Sequence, residues 1–492
     1  MKKMLSMLLA LTLVFALAVP AGAAEKTPAA PKSSEVGVIV NGAAVTFPDK
    51  AKPELVKGNT MIPIKALVEA LGGQVTMENG EIVCKFAKPS NGMTNAEVSF
   101  APGADSYFKN GYTYVSARTF AKATGFDLLW DRTTRSAVLI DKNTLIAEID
   151  KSFTILNAAL EKQQSDPTKN YKSTMTYDIG MNMPATEYSD AMNIMLKLKL
   201  DMISSADAVE MNGSMDGSAL VKLLELDKAV ENDVLTAAEA LAINKALTNL
   251  TFQMRFDLKT MTYYMNMPVL SVLTDGEIPA ETWMKLDMSD LLSLSGQSLS
   301  GLDLNTLEQT PLTVGNLIYL MCRMNAYSNA DLFNQISQTG VLMATFFGDD
   351  AAKKNGDAAT FHFGKAELDK LAGEKFADEL FDTFSVDLTV NGGTMTCDFN
   401  IKTVKDESGD AFAFSGKMTM SADKAAMNML LDMGAMGKIT YVLNVVMTPT
   451  TQKPQTLPPT GAKIMDLSEL LDQAMDKLDT VAPALPEPAP AA

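Results

Sequence analysis

The chain is poor in the residue types that build active sites. Its single histidine, His362, lies in the run Thr-Phe-His-Phe-Gly, and one imidazole cannot supply the several histidine ligands of a catalytic zinc or type-2 copper site. The sequence contains neither an HExxH nor a GxSxG motif. Its acidic residues are scattered, so no carboxylate pair for glycoside hydrolysis can be chosen by spacing. We therefore predict no catalytic residue, no metal ligand and no cofactor, and expect that the chain is not an enzyme.

The cysteines also give no sign of a reactive site. Cys84, Cys322 and Cys397 lie in separate apolar segments and lack CxxC spacing. Three cysteines are too few for a disulfide framework. Two states remain open, namely one disulfide with one free thiol, or three unpaired buried thiols, and we favour the second.

A segment near the N-terminus occurs twice. Residues 58–72 return as residues 111–125, at a constant offset of 53 positions (111 − 58). Each copy predicts a glycine turn, a short strand and a helix with apolar residues at three-to-four spacing, ended by Gly72 or Gly125. An alternating run, a turn and an apolar strand follow each glycine. Two such ββαβ-type units can bury each other's apolar faces, which neither could do alone.

This duplicated segment resembles a known family. The opening Val-Gly-Val-Ile-Val-Asn-Gly-Ala-Ala-Val-Thr-Phe from Val36, followed by Thr-Met-Ile-Pro-Ile-Lys-Ala-Leu-Val-Glu-Ala-Leu-Gly, resembles the copper amine oxidase N-terminal (stalk) domain of many secreted Gram-positive proteins. The resemblance covers residues 36–141. It departs from the family pattern at Ser116, where proline is usual, and at Met77, where tryptophan is usual. The resemblance implies a spacer or interaction module, and the family's stalk carries neither the metal nor the redox cofactor.

The first residues predict export from the cytoplasm. Lys2 and Lys3 precede an apolar stretch over residues 4–19, and small residues follow at positions 20–24. We expect a signal peptide at 1–24, because the apolar run is shorter than the ~20 residues that a membrane-spanning helix needs. No cysteine stands at the expected cleavage site, so lipid anchoring is not expected. The mature chain should therefore be secreted, without an integral membrane segment, and either released or associated with the cell wall.

Charge narrows the range of partners. The chain has 42 Lys and Arg against 59 Asp and Glu, a net charge of −17, which argues against nucleic acid and anionic membrane surfaces as partners. Leu457-Pro-Pro-Thr-Gly461 matches the sortase sorting signal, but an acidic amphipathic helix predicted over residues 463–479 follows it instead of an apolar span and a basic tail. We interpret this match as a coincidence. The Pro- and Ala-rich tail, 481–492, is predicted to be disordered.

The rest of the chain, 148–480, predicts a second and larger domain. Residues 171–183 alternate between apolar and polar types, and residues 194–202 do so strictly. Similar runs follow at 252–258, 263–267 and 283–288, and a helix is predicted over residues 289–294. Residues 313–347 have a helical pattern, and residues 384–448 predict a meander of five strands. One large sheet and two related halves both fit this order. We favour a single strongly curved antiparallel sheet packed against helices, which makes the whole chain α+β.

This layout resembles, at low specificity, the curved half-barrel of bacterial lipoprotein carriers. The resemblance implies an apolar cavity for a lipid between sheet and helices, whereas a fully packed core is the alternative. The chain has 33 Met against 34 aromatic residues (21 Phe, 11 Tyr and 2 Trp), and methionine both lines adaptable apolar sites and simply fills cores. If the cavity exists, the residues predicted to line it and bind the ligand are Met254, Phe256, Met265, Met418 and Met429.

The sequence thus favours a secreted, non-enzymatic binding protein of the cell envelope that holds a lipid or another apolar ligand in a methionine-rich cavity. The alternative is a structural or adhesive cell-wall protein with a solid core and with protein or glycan partners. A hydrolase comes third.

Overall fold

The computed structural model describes residues 35–87, 96–103, 105–164, 166, 168–185, 191–287, 311–326, 328–405 and 409–467. Within them the chain is α+β, with one sheet of 14 strands and three smaller sheets. The predicted signal peptide (1–24) and disordered tail (481–492) lie outside the described residues, as does a helix predicted over residues 289–294.

Residues 36–141, called the N-terminal module below, contain the three smaller sheets, ordered β10-β11-β1-β2, β3-β4-β9-β8 and β5-β6-β7. The elements are β1 (Gly37–Val40), β2 (Ala43–Ala44), β3 (Glu54–Val56), β4 (Asn59–Pro63), α1 (Ile64–Ala70), β5 (Gly73–Glu78), β6 (Glu81–Phe86), β7 (Glu97–Phe100), β8 (Ser106–Lys109), β9 (Tyr112–Ser116), α2 (Ala117–Thr124), β10 (Asp127–Asp131) and β11 (Ser136–Ile140).

The two sequence copies have the same order of elements in the N-terminal module. β4-α1-β5-β6 is followed, 53 positions later, by β9-α2-β10-β11. β4 and β9 pair antiparallel, and the equivalent residues Ile62 and Val115 lie opposite each other with no exposed surface. Gly72 and Gly125, just after the two helices, have φ values of 71° and 74°, the left-handed region that glycine tolerates best. The two copies therefore contribute to one apolar cluster through their matching strands.

Strand β11 connects this module to the rest of the molecule. Every one of its residues is buried, as expected for a strand with apolar packing on both faces. Ala137 and Leu139 pack in the cluster of the N-terminal module, whereas Val138 and Ile140 pack in the cluster of the large sheet. One strand therefore belongs to both cores.

The large sheet and its helices follow. Their elements are α3 (Lys142–Asp150), α4 (Thr154–Gln163), β12 (Asn170–Met183), β13 (Met192–Ser204), β14 (Ala208–Asp216), α5 (Ser218–Leu223), α6 (Leu226–Glu231), α7 (Ala237–Thr248), β15 (Leu250–Asp257), β16 (Thr262–Asn266), α8 (Val269–Leu273), β17 (Trp283–Asp287), α9 (Val314–Asn325), α10 (Leu332–Phe347), β18 (Lys353–Asn355), β19 (Ala358–Gly364), α11 (Lys365–Ala372), α12 (Ala377–Leu380), β20 (Phe381–Asn391), β21 (Thr394–Thr403), β22 (Ala413–Met420), β23 (Lys424–Asp432), β24 (Lys438–Thr450) and β25 (Ile464–Asp466).

These strands form one sheet, as the sequence predicted, and not two separate halves. Their order is β18-β19-β20-β21-β22-β23-β24-β12-β13-β14-β15-β16-β17-β25. Every neighbouring pair is antiparallel except β17 and β25, which are parallel. Strand order follows the chain within β18–β24 and within β12–β17, and the pairing of β12 with β24 joins these two series into one sheet.

The sheet has one apolar face and one polar face, because side chains alternate along each strand. A row of directly opposed residues on the apolar face consists of Leu388, Cys397, Met418, Met427, Leu443, Tyr177, Leu198 and Met215. The matching row on the polar face consists of Asp387, Asp398, Lys417, Asn428, Val442, Asp178, Lys197 and Asp216.

Helices bury the apolar face at one end of the sheet only. Strands β19–β22, called the covered half below, pack against α3, α4, α9 and α10 in one continuous cluster. Phe361 on β19 has no exposed surface, and Phe347 on α10 stacks against Phe363 with ring centroids 6.2 Å apart. The covered half is therefore a solid core.

A buried carboxylate fastens the N-terminal module to the helices of the covered half. Asp131, at the end of β10, is 2% exposed and accepts hydrogen bonds from Ser328 Oγ (2.7 Å), Ala330 N (3.1 Å) and Thr134 N (2.7 Å). Burial alone raises the pKa of Asp131, but these hydrogen bonds outweigh burial and hold the pKa below its ordinary value. The carboxylate therefore stays ionised within the joint.

The C-terminal segment, residues 451–463, crosses the polar face from the middle of the sheet to its far edge. It leaves β24 beside β12 and ends at β25 beside β17. On the way, Gln455 N donates to Glu210 Oε2 on β14 at 2.9 Å, and Lys463 O accepts from Trp283 N at 2.8 Å. The Leu457–Gly461 motif lies within this crossing.

Candidate functional site: a partly exposed apolar face

The apolar face continues beyond the covered half, onto strands β12–β17, called the open half below. The alternation in these strands directs large apolar side chains to this face, but most of them keep part of their surface exposed. The partly exposed residues are Met175, Tyr177, Ile179, Leu196, Leu198, Met202, Met211, Met215, Leu250, Phe252, Met254, Phe256, Tyr263 and Met265. The open half therefore presents a broad apolar surface that the described helices do not seal.

Six methionines form an unbroken row across the open half. On adjacent strands, each one lies directly opposite the next in the pairing register, and all six point to the apolar face. The row consists of Met202, Met211, Met254, Met265, Met284 and Met465, one each from β13, β14, β15, β16, β17 and β25.

Aromatic residues flank the methionine row on both sides. Phe252 lies over Gly213, where a Cβ atom would approach its ring to 2.1 Å. Phe256 and Tyr263 pack edge to face with ring centroids 6.2 Å apart. Tyr263 Oη donates to Met265 Sδ at 3.8 Å, and burial raises the pKa of this phenol, which keeps it protonated. The surroundings of the row are thus uncharged.

The short helices of the open half also leave apolar surface exposed. Helices α5 and α6 contain no buried residue, and α7 buries only Ala240 and Leu247. Leu223, Val234 and Leu241 are 48%, 72% and 71% exposed. These side chains surround α7, which contacts β14 of the open half. They enlarge the apolar surface that a partner would meet.

The five residues predicted to bind a ligand all lie on the apolar face, but the structure does not bring all five together. Met254, Phe256 and Met265 are neighbours on β15 and β16. Met418 is buried in the solid core of the covered half, and Met429 on β23 packs against the edge of that core. Six strand spacings separate β22 from β15, roughly 29 Å along the sheet.

The polar face of the open half holds a buried ion pair that sequence reasoning missed. Arg255 is 7% exposed, lies 3.3 Å from Glu210 and stacks over the Trp283 ring at 5.4 Å. Burial lowers the pKa of Arg255, and the Glu210 carboxylate partly offsets this effect. Charged residues at alternate strand positions indicate a solvated face, but here the Trp283 ring covers Arg255 and the crossing segment contacts Glu210 through Gln455.

A groove of about 510 Å³ is also lined by the middle of β12 and β13, the end of β14 and the start of β15. Its lining mixes lysines, aspartates and hydroxyl groups with a few apolar residues, and it contains none of the five predicted ligand-binding residues. The apolar cavity inferred from the sequence is therefore not this groove.

The residues considered for catalysis stay apart from one another. His362 lies on the polar face of β19 with Nδ1 2.7 Å from Asp387 Oδ1. The three cysteines are unpaired, and burial raises the pKa of Cys84 and of Cys397 to about 12. In the part of the chain that the structure describes, no group of three or more His, Cys, Asp or Glu side chains could hold a metal ion.

No helix among the described residues is both long enough and apolar enough to cross a membrane.

Comparisons with known proteins found no family model and no curated protein that matches this chain.

Proposed function

We propose that this chain is a secreted, non-enzymatic binding protein of the cell envelope, and that the apolar face of its open half holds a lipid or another apolar molecule. The observation that carries the proposal is the contrast between two ends of one apolar face. Helices bury most of the apolar face of the covered half, whereas the open half keeps large side chains such as Phe252, Met254 and Phe256 partly in contact with water. Contiguous exposed apolar surface of this kind is typical of interaction sites.

The residue types on this surface suit a ligand of variable shape. Methionine has three rotatable bonds and a polarizable sulfur, so a methionine-rich wall adapts to different apolar partners. Leu223 and Leu241 on the neighbouring helices add further apolar area. In this proposal the N-terminal module, as its resemblance to copper amine oxidase stalk domains implies, serves as a spacer or interaction module that positions the open half.

A structural or adhesive cell-wall protein is the second candidate. The observation that favours it is the joint at Asp131, because this carboxylate at the end of β10 accepts hydrogen bonds from Ser328 and Ala330 and so fastens the N-terminal module to the covered half. A firm joint of this kind suits a load-bearing protein as well as a spacer. The two candidates differ in whether the open half carries a bound molecule.

Native mass spectrometry of the chain recovered from the culture medium of a secreting host tests the proposal. We expect a discrete adduct that organic solvent removes and that yields a lipid or another apolar molecule. A bare mass in every preparation would favour the structural candidate, and a chain retained in the cytoplasm would contradict both.

A pair of matched substitutions places the adduct on the molecule. Phe256→Asp puts a charge on the apolar face of the open half, and we expect it to remove the adduct. Phe108→Asp, in the N-terminal module, changes a phenylalanine that is 74% exposed and should leave the adduct in place. Circular dichroism of both variants checks that each is folded. Equal adduct levels in a folded Phe256→Asp variant would contradict the assignment to this face.

A further inference from the structure

The methionine row offers a second kind of binding. We propose that Met211, Met254 and Met265, with Met202 and Met284 on either side, bind a soft monovalent metal cation, namely Cu⁺, through their thioether sulfurs. The proposal concerns the sulfur atoms alone and does not depend on an apolar molecule being held on the same face.

The pairing register of the strands places the methionine side chains next to one another. Directly opposed residues on neighbouring antiparallel strands have Cβ atoms about 4.5–5.5 Å apart. Met211 opposes Met254, and Met254 opposes Met265, so three thioethers stand side by side on β14, β15 and β16. Because each side chain has three rotatable bonds, neighbouring sulfurs can turn toward one ion.

Composition does not account for this row. Methionine makes up 33 of 492 residues, so an unbroken run of six methionines at partner positions on six strands is not expected from abundance. Core filling does not require it either, because the covered half is packed mainly by Phe, Leu, Ile and Val. A requirement for adjacent sulfurs explains why the same residue type recurs in register.

The ligand chemistry selects the cation. Thioethers are soft ligands, which favour Cu⁺ over harder ions. They are also neutral, and the neighbouring residues on this face, such as Phe252, Phe256 and Tyr263, are uncharged. A divalent cation held here would have no anionic ligand to compensate for its loss of water, whereas a monovalent soft cation has less charge to desolvate. Zn²⁺ and Ca²⁺ are therefore expected to bind far more weakly.

The row is accessible from solvent. Met202, Met211, Met254, Met265 and Met465 are partly exposed, and only Met284 is buried. A cation can therefore reach the sulfurs without unfolding of the sheet. The sequence expectation of no metal site considered His, Cys and carboxylate ligands, and the thioether row becomes visible only when the strand register is known.

Anaerobic titration of the full chain with Cu⁺, in competition with a chromogenic Cu⁺ chelator, tests the proposal, and Ag⁺ with native mass spectrometry provides an air-stable repeat. The triple variant Met211→Leu, Met254→Leu and Met265→Leu removes three sulfurs and keeps the apolar volume. The matched control, Met77→Leu, Met195→Leu and Met436→Leu, removes three exposed methionines outside the row.

We expect the affinity of the row variant for Cu⁺ and Ag⁺ to fall at least about 10- to 100-fold. Mutating a residue that only hydrogen-bonds to a metal ligand already lowers metal affinity by about this factor, and the row variant removes the proposed ligands themselves. The control variant should bind as the unchanged chain does, and Zn²⁺ should not compete. Equal affinity in the row variant and the unchanged chain would overturn the proposal, as would an equal loss in the control variant.

A second readout separates this proposal from the binding of an apolar molecule. With ¹³C-methyl methionine, Ag⁺ should shift the methyl resonances of the row and leave those of Met77 and Met436 unchanged. The apolar adduct is read in the unchanged chain, because Met254 and Met265 are also among the residues predicted to bind the apolar molecule. An unchanged chain that carries no adduct but binds Cu⁺ through the row would contradict the proposed function alone. A chain that carries the adduct but shows no loss of Cu⁺ affinity in the row variant would contradict the metal site alone.

Discussion

The covered half and the open half of the large sheet have the same strand pattern but differ in how deeply their apolar face is buried. In both, apolar residues alternate with polar ones, and a single register aligns the apolar face from β20 to β15. Phe361 and Phe363 in the covered half are completely buried, whereas Phe252 and Phe256 in the open half are partly exposed. Strand alternation therefore determines which face is apolar, and the helices determine whether that face becomes a core.

The helices differ in length and in apolar content. Helix α10 spans 16 residues and buries Leu332, Ile336 and Phe347 against the covered half. Helices α5 and α6 span six residues each and bury none. A helix of less than two turns cannot present a long apolar stripe to a sheet, so α5 and α6 do not seal the open half.

A pair of phenylalanine substitutions provides the largest test of this comparison. Phe361→Ala should lower the free energy of unfolding by about 4 kcal/mol, because it leaves a cavity in a solid core. Phe256→Ala should cost only about 1–2 kcal/mol, because part of its ring is already in contact with water. Urea denaturation measures both. Equal losses would mean that the open half is packed as tightly as the covered half.

Breaking the buried ion pair tests what holds the open half together. Glu210→Ala should cost about 3 kcal/mol, because Arg255 then remains charged and buried without its partner. Gln455 N also loses its acceptor, which loosens the crossing segment. Urea denaturation of the single variant and of the double variant with Arg255→Met should show the double variant as the more stable of the two. A single variant as stable as the unchanged chain would indicate that the polar face contributes little to the open half.

Acid titration tests the joint that fastens the N-terminal module to the covered half. The folded-state pKa of Asp131 lies below its unfolded value, about 3.9, so its stabilisation is complete above that value and is lost as the pH falls through the folded pKa. Asp131→Asn should cost about 2 kcal/mol at pH 7. The difference from the unchanged chain should shrink between about pH 5 and pH 2. A difference that stays constant over this range would contradict an ionised carboxylate in the joint.

A surface ion pair should produce the smallest effect. Lys417 and Asp398 lie 3.2 Å apart on the polar face of the covered half, and both side chains are about half exposed. Lys417→Gln should change the free energy of unfolding by less than about 0.5 kcal/mol, because solvent screens exposed charges. Urea denaturation at low and high salt should show the small effect disappearing in salt. A larger loss would mean that the polar face of the covered half is not a plain solvated surface.

The sequence predicted much of the large sheet because its alternating runs carry enough local information. The runs beginning near residues 171, 194, 252, 263 and 283 all form strands, and the region 313–347 forms two helices. Strand β14 was missed, since Gly213 stands where an apolar residue would complete its pattern. The structure supplies the reason, because the ring of Phe252 on the next strand fills the space that a side chain at Gly213 would need.

The site was less predictable than the strands. Alternation placed the five chosen residues on the correct face, but their distance from one another depends on strand order, which is not local information. Met418 and Met254 look equivalent in sequence and lie six strands apart, in the covered half and the open half. Residues 464–466 had a helical pattern and form β25, because the free edge of β17 offers backbone partners that local propensity does not consider.

The pairing of β12 with β24 has a consequence for how the chain folds. Asn170 lies opposite Thr450, so the middle of the sheet joins residues that are far apart in the sequence. Closing so long a loop is slow, and contacts of this kind are typical of proteins that fold in milliseconds to seconds rather than microseconds. Until the last strands have left the ribosome, β12 has no partner on one side. The free edge of β12 is then an unprotected, aggregation-prone strand, and a chaperone that binds extended apolar segments would find its clearest target there.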